Sequence, residues 1–499
     1  MKTVVITENN KDKFYGCTMT YGHFSVIHPG HIRYLSKAKK KGGKLVIALI
    51  GDKKKEDTLK YKYSQRERVD ALKMLNIVDG IVLLKEDFLT SAIKLLKPSN
   101  LFLGNEFRLS DNEEIQNSLN FLKNNAGKVF FDAGDINYTS SYLLEELKDS
   151  VQNKRIESFK EALKRQNINK KNLLDSINQF NLGKTLVLGD TIIDQYIDSE
   201  PLGISAEAPV LVVREINKKN FIGGAAIVAS HIKSLGSNCN YVSVVGIDKI
   251  KKFLESKLIS QKINFNLIED PSRPTTLKKR YIVENQKIFR VSKLENKFVQ
   301  KEIEEKIINS INKNKNEINT IVISDFNYGV ITKTILEEIT LFANRNNITL
   351  IGDVQSSSQI GHVTKLKNFD LICANEKEVR ISLNDHTSGI ENLCNDLIKI
   401  TSCKNLIIKL GSKGLILYKY NEKKEIISQP FPALNIHPID TAGAGDSLLA
   451  TMACGISGGV PIEIVTAISC FVTALSVERM GNIPITKDLL KNEVINLEI

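Results

Sequence analysis

The sequence predicts an α/β protein of two doubly wound domains, the second carrying a small β lid. Three observations lead to this. A chain of 499 residues exceeds one ordinary hydrophobic core. Short apolar runs alternate with amphipathic stretches from Phe14 to Phe131 and again from Thr185 onward, the order of parallel strands joined by helices. Glycine-rich turns follow several of these runs, at the strand ends where an open parallel sheet binds its ligand. The expected division is residues 1–149, a helical connection over 150–180, and residues 181–499.

Composition narrows the function. Hydrophobic content of 42% and charged content of 25% are those of a globular protein. The net charge of +12, from 69 Lys and Arg against 57 Asp and Glu, is spread among Asn-rich stretches and suits anionic small substrates. No basic block alternates with aromatics and Trp is absent, so a nucleic-acid partner is not expected. The seven cysteines contain no CxxC pair, which points away from a disulfide framework or zinc cage and towards a reducing, cytoplasmic setting. No run approaches the roughly 18 apolar residues of a membrane span, and no membrane partner is expected.

In the first domain the alternation reads as strand Tyr15 to Thr20, helix Gly30 to Lys41, strand Lys44 to Ile50 and helix Gln65 to Leu75. Strand Gly80 to Leu84, helix Leu89 to Leu96, strand Leu101 to Leu103, a helix through Leu122 and strand Lys128 to Phe131 complete it. After the first strand comes Thr20-Tyr-Gly-His-Phe-Ser-Val-Ile-His-Pro-Gly-His31. His28 and His31, three apart with Gly30 between them at a helix start, can turn together to one anion. That arrangement suits attack on the α-phosphate of a nucleotide, with the imidazoles stabilising charge that grows at phosphorus.

Residues 150–178 are rich in Lys and Asn, but Ile156, Phe159, Leu163, Leu173 and Leu174 fall near helical spacing. One or two helices are expected there rather than a loose tether.

In the second domain, strand Thr185 to Leu188 ends in Gly189-Asp190, and Asp194 is placed one helical turn further on. Asp190 is a candidate to hold two adjacent hydroxyls, while Gly223-Gly224, opening a helix to Leu235, lets backbone approach a polyol. Strand-like Thr276 to Val283 and Lys287 to Val291 form the expected lid, whose Lys278, Arg280, Gln286 and Arg290 would take an anionic substrate group. Asn375 and Glu378 lie three apart on one helical face, a spacing that can order water around Mg²⁺ near phosphates. Lys409 to Gly414 reads as strand, turn and strand beside a nucleotide. Finally, Asp440-Thr-Ala-Gly-Ala-Gly-Asp446 opens a helix of small residues, which leaves unpaired N–H groups and the positive helix end aimed at one point. That is a phosphate seat, and Asp446 beside it is the candidate proton acceptor for an attacking hydroxyl.

TYGHFSVIHPGH resembles the signature of the nucleotidyltransferase superfamily that includes glycerol-3-phosphate cytidylyltransferase and the adenylyltransferase half of the bifunctional heptose enzymes. The resemblance runs from Phe14 to Leu147 and implies a Rossmann-like HxGH domain. It assigns nucleotide contacts to Tyr21, Gly22, Phe24, Gly30, Lys60, Arg68 and the hydroxyl run Thr139, Ser140 and Ser141. The chain departs from that pattern with Ser25 in place of Asp, and with Gly134 or Asp135 where the cytidylyltransferase branch has Arg.

Gly223-Gly224, Asn375 to Glu378, Lys409 to Gly414 and Asp440 to Asp446 follow one another as in the ribokinase-like (PfkB) sugar kinases. Within them GISAEAPVLVV, FIGGAAIVASHIKSLG, ENQKIFR and ERMGN are similar to the kinase half of the bifunctional heptose-7-phosphate kinase and heptose-1-phosphate adenylyltransferases. The resemblance covers Leu182 to Pro484. It implies Asp446 as base and the amides of Ala442, Gly443, Ala444 and Gly445 as anion hole. Asn375, Glu378, Lys409, Gly411 and Gly414 would lie near ATP, and Asp190, Glu207, Gly223, Gly224, Lys278 and Arg280 around the sugar phosphate. Ile227 replaces the usual Asn, Phe326 to Gly329 replaces a run of small residues, and the order of the two domains is inverted.

The expectation is therefore a bifunctional enzyme that phosphorylates a sugar phosphate and then joins a sugar 1-phosphate to a nucleotide, of the ADP-heptose type used for surface polysaccharide. Mg²⁺ would sit near Glu378, held mainly by phosphates, with ATP as kinase substrate and ATP or CTP as transferase substrate. A CTP-dependent enzyme making a CDP-sugar or CDP-polyol is one alternative, and a sugar kinase with a non-catalytic N-terminal scaffold is another. A homodimer is compatible with either.

Overall fold

The computed structural model describes residues 3–24, 27, 29–52, 63–85, 88–104, 107, 113–125, 127–131, 148–284, 286–356, 359–435 and 438–497. The chain divides into two compact units, residues 1–147 with 384–396 and residues 148–383 with 397–499. Among the described residues no helix is long and apolar enough to cross a membrane.

The first unit contains β1 (Val4–Val5), β2 (Thr18–Gly22), α1 (Pro29–Lys40), β3 (Leu45–Leu49), α2 (Gln65–Met74), β4 (Gly80–Leu83), α3 (Leu89–Leu96), β5 (Asn100–Leu103), α4 (Glu113–Asn124) and β6 (Lys128–Phe131). Its strands pair in the order β1-β4-β3-β2-β5-β6, all parallel. Every residue of β3, Leu-Val-Ile-Ala-Leu, is buried, as a parallel strand covered on both faces requires. The first predicted strand begins at Thr18 rather than Tyr15, and the two-residue β1 was not foreseen because so short a run has no period to read.

The second unit begins with α5 (Lys148–Arg165) and α6 (Lys170–Gln179), whose Phe159, Ala162, Leu163, Leu173 and Ile177 are buried in its core. The chain continues through β7 (Lys184–Gly189), β8 (Thr191–Ile204), β9 (Leu211–Gly224), α7 (Ala225–Ser234), β10 (Asn238–Val245), α8 (Lys249–Ser260), β11 (Asn264–Glu269), β12 (Thr276–Val283) and β13 (Gln286–Lys293). Then follow α9 (Lys301–Lys313), β14 (Thr320–Asp325), α10 (Lys333–Asn346), β15 (Thr349–Val354), β16 (Leu371–Asn375), α11 (Glu376–Leu383), α12 (Ile390–Thr401, of which residues 390–396 are counted with the first unit) and β17 (Asn405–Lys409). The last elements are β18 (Leu415–Tyr420), β19 (Ile426–Phe431), α13 (Ala444–Ser457), α14 (Ile462–Val477) and α15 (Lys487–Asn496).

Nine strands form the main sheet in the order β11-β10-β7-β14-β15-β16-β17-β18-β19. Its pairings are parallel as far as β17, after which β18 and β19 fold back antiparallel. A separate sheet, β13-β12-β8-β9, is the lid. Only β12 and β13 were expected in it. The helical turn expected between Asp190 and Asp194 does not form, because Thr191-Ile192-Ile193 is a β-branched run that extends β8 and pairs with β9. The small residues of α13 let it lie deep in the unit against α7 and α14, with Leu449, Ala450, Met452, Ala453 and Cys454 fully enclosed.

Candidate active site

A cavity of about 500 Å³ opens in the second unit at the carboxyl ends of the parallel strands. Its lining includes Asp194, Lys278, Arg280 and Arg290 of the lid and the apolar Leu415, Pro432, Ala433, Ala474 and Val477. Residues Ala442 to Asp446 line it as well.

Asp446 stands in the first turn of α13, whose cap is Gly443 at φ +85°. A Cβ on Gly443 would also fall 2.2 Å from Asn482 Oδ1, so both the turn and the close approach require glycine. The first N–H groups of a helix have no acceptor within it, which leaves those of Ala444, Gly445 and Asp446 at the cavity wall, although Ala444 makes a long 3.4 Å bond to Thr441 O. Of the four expected donors, Ala442, Gly443, Ala444 and Gly445, the first is engaged: Ala442 N–H donates to Asp440 Oδ1 at 3.0 Å.

The Asp446 carboxylate accepts from Gln355 Nε2 at 2.7 Å and from Asn482 Nδ2 at 3.5 Å. Burial pushes its pKa up to about 6, helped by the charge of Asp194 and opposed by Gln355, Lys409 and Asn482. A buried carboxylate with hydrogen bonds at fixed positions and a pKa near neutrality can accept a hydroxyl proton.

Asn375 and Glu378 make a reciprocal cap at the start of α11. Glu378 N–H donates to Asn375 Oδ1 and Asn375 N–H to Glu378 Oε2, both at 2.8 Å, while Ser356 N–H reaches Glu378 Oε1 at 3.1 Å. Each carboxylate oxygen keeps a second acceptor direction. Lys409 lines the cavity but its ammonium is paired with Asp353 Oδ2 at 2.7 Å. Burial opposes that charge, yet the carboxylates of Asp353 and Glu378 outweigh it and hold Lys409 protonated. Gly411 and Gly414, in the turn between β17 and β18, also line the cavity.

Two sugar-side expectations need correction. Asp190 is buried and its carboxylate accepts from the N–H groups of Phe326 at 2.7 Å, Tyr328 at 3.3 Å and Val330 at 3.4 Å. It therefore shapes the 326–330 loop and does not line the cavity. The carboxylate that does is Asp194, which receives Arg280 Nη2 at 2.6 Å. Glu207 lies exposed in the turn between β8 and β9, away from the cavity lining. The paired glycines serve protein groups first: a Cβ on Gly223 would meet Asp194 Oδ2 at 2.5 Å, and one on Gly224, at φ +62°, would meet Asp190 O at 2.3 Å. Lys278 is buried with its ammonium 5.1 Å from the Tyr328 ring and 5.4 Å from that of Phe326. Cation–π contacts of that kind hold a desolvated cation in place.

Asp194, Gln355, Asp353 and Asn482 were not foreseen as site residues. Three of them follow a usable signal, since Asp353 and Gln355 close the β15 segment at the ligand end of the sheet and Asp194 lies just past Gly189-Asp190. Asn482 ends the ERMGN segment that resembles the heptose kinases, which marks the stretch but assigns the residue no role.

In the first unit Tyr21 and Gly22 close β2, and Phe24, at φ +46°, sets its ring 4.9 Å from that of His31 in the first turn of α1. Gly30 is in the same turn. His28, Lys60, Thr139, Ser140 and Ser141 lie outside the described residues. Arg68 is corrected. It is 1% exposed, and its five N–H groups are met by Tyr63 O, His23 O, Ile50 O, Gly51 O and Asp52 Oδ1. A guanidinium with that set of partners braces the loop ends and has no donor left for a triphosphate.

Residues 183–488 match the pattern of the pfkB family carbohydrate kinases. The chain belongs to the PfkB family. Residues 19–156 match the cytidylyltransferase-like family, so the PfkB fold follows a nucleotidyltransferase fold in this chain. Among curated proteins it is 28% identical over 308 residues to the bifunctional protein HldE of Trichlorobacter lovleyi, covering 61% of this chain and 61% of that protein. It is 29% identical over 300 residues to that of Geobacter sulfurreducens, covering 59% and 60%. The matches thus span about three fifths of the length of these relatives. Among solved structures, ribokinase from Thermotoga maritima aligns with a TM-score of 0.50 at 20% identity, over 63% of this chain and all of that one. Phosphofructokinase-2 from Escherichia coli aligns at 0.51 and 15%, over 63% and 99%. At these identities the likeness shows the PfkB fold.

Proposed function

We propose that the chain is a bifunctional sugar-phosphate kinase and sugar-1-phosphate nucleotidyltransferase. The observation that supports this is a cavity in one unit lined by Asp446, the start of α13 and the cations of the lid, together with a cytidylyltransferase-like match in the other, in a chain whose relatives are named bifunctional HldE.

In the kinase unit Asp446 takes the proton of the acceptor hydroxyl as that oxygen bonds to the γ-phosphorus of ATP. The bond from the γ-phosphorus to the bridging oxygen breaks and ADP leaves. The amides at the start of α13 receive the charge on the transferring phosphate. The apolar wall of Leu415, Pro432, Ala433, Ala474 and Val477 suits an adenine. Lys278, Arg280 and Arg290 suit a phosphate already on the sugar, as in a heptose 7-phosphate, with the anomeric hydroxyl turned to Asp446.

Among the described residues no cluster of three or more His, Cys, Asp or Glu could hold a metal. The remaining acceptor directions of Glu378 fit a Mg²⁺ held chiefly by phosphates, with Glu378 ordering one of its waters. When bound, that ion neutralises charge on the phosphates.

After a phosphate is removed by another enzyme, the first unit would join the sugar 1-phosphate to a nucleotide and release pyrophosphate, using His28 and His31. ATP gives the ADP-sugar. CTP is the second reading, favoured by the cytidylyltransferase-like match and by Tyr21 in the TYG segment. The order of the two halves is, in this reading, the inverse of the bifunctional heptose enzymes.

A grid of sugar phosphates against ATP and CTP, with products identified by mass, tests the assignment. Phosphorylated and nucleotide-linked products are both expected, and His28→Ala should remove pyrophosphate release while sparing phosphorylation. Zero pyrophosphate release by the wild type in every combination would leave a kinase with an N-terminal scaffold.

The kinase pH profile is a further expectation. Asp446 must be ionised to act as base, and its pKa is raised to about 6. Phosphorylation kcat/KM should therefore fall as pH drops through about 6 and level off above it. A profile flat from pH 5 to 8 would remove Asp446 from the role of base.

A further inference from the structure

Asp440 opens the phosphate turn, yet it does not line the cavity. Its side chain is 3% exposed. A carboxylate has about four acceptor directions, and here four donors meet them. Lys287 Nζ at 2.7 Å and Ala442 N at 3.0 Å reach Oδ1, while Tyr196 OH at 2.8 Å and Gly481 N at 3.3 Å reach Oδ2. Two of these donors belong to the lid, Tyr196 on β8 and Lys287 on β13. The other two belong to the segments that build the base site: Ala442 leads into the α13 turn, and Gly481 precedes Asn482, which contacts Asp446.

We propose that Lys287 and Asp440 are positioning residues that latch the lid to the phosphate-binding turn, so that the turn is set for phosphoryl transfer only while β13 is closed. The arm that releases is Lys287. Its side chain is 43% exposed on a solvent-facing strand, whereas Asp440 is enclosed. Its ammonium also lies 5.4 Å from the Tyr196 ring, so the two lid donors approach Asp440 together. Opening of β13 removes the charged donor and leaves the buried carboxylate with the Tyr196 hydroxyl and two backbone N–H groups. A buried acceptor that loses a charged partner is costly, so lid opening and loosening of the turn are coupled through one carboxylate.

The role in phosphoryl transfer rests on the kinase reading, but the latch itself is measurable without substrate. In hydrogen exchange on the full chain, Lys287→Met should speed exchange about tenfold or more both in residues 286–293 and in 440–446. Lys287→Arg, which keeps a cationic donor, should restore protection in both. In any kinase reaction found by the substrate grid, Lys287→Met should lower kcat and leave the KM for ATP near wild type. Faster exchange confined to the lid, no change in either segment, or an unchanged kcat would overturn the latch. A wild type without kinase activity would instead overturn the kinase reading and leave the exchange result to decide the latch. Because Lys287 is on an exposed strand, its variants should fold.

Discussion

Asp446→Asn should reduce phosphorylation by about 10²- to 10⁴-fold, the range over which a positioned general base acts, and leave pyrophosphate release by the first unit unchanged. The substitution keeps an oxygen for Gln355 Nε2, now 2.7 Å from Oδ1, so the site should retain its shape. Stability separates this from a folding defect. Burial raises the Asp446 pKa from 3.8 to about 6, which means that the folded chain carries its charge at a cost above that range. Sign follows directly: ionised Asp446 disfavours the folded state at pH 7 to 8, and the penalty fades as pH falls through about 6 towards 3.8. Asn carries no charge, so the variant should melt no lower than wild type at pH 7.5, and the difference should narrow at pH 5. Loss of both activities, or a melting temperature well below wild type, would mean that Asp446 holds the fold instead of taking a proton.

That site was legible because its signal is local. A glycine-bearing turn into a helix of small residues fixes where N–H groups and a carboxylate must lie, whatever else the chain does. The alternation of strands and helices was legible for the same reason. The exchange of roles between Asp190 and Asp194 was not. Whether Asp194 points to the cavity depends on Thr191–Ile204 pairing with Leu211–Gly224 across the lid, a contact between distant segments, and a spacing of four suggests a helical turn when read alone. Likewise the spacing of Asn375 and Glu378 suggests one helical face when read alone, but Asn375 ends β16 and the pair caps the start of α11. Glycines 223 and 224 show the same priority of protein over ligand, since the space a side chain would fill is taken by Asp194 and by the backbone at Asp190.

Arg68→Ala should destabilise the first unit by about 3–5 kcal/mol, the cost of stripping several buried acceptors of a charged donor, and should do so whether or not a nucleotide is present. Family resemblance assigns this arginine to phosphate binding, and the two roles predict different measurements. Its guanidinium reaches His23 O at 2.5 Å and Ile50 O at 3.0 Å, carbonyls that follow β2 and β3, and Gly51 O at 3.3 Å beyond them. These carbonyls follow the ends of the two central strands. Only a planar fork spans them, so Arg68→Lys, with one point charge and three donors, should recover less than half of the lost stability. The ion pair to Asp52 contributes little by itself, because that carboxylate is 52% exposed. Thermal unfolding of the full chain should show the early loss of the first unit, read by proteolysis within residues 1–147, while kinase activity of the second unit persists. If Arg68→Ala instead melts as wild type does and raises only the KM for the transferase nucleotide, the arginine binds substrate and its carbonyl contacts rearrange when the nucleotide enters.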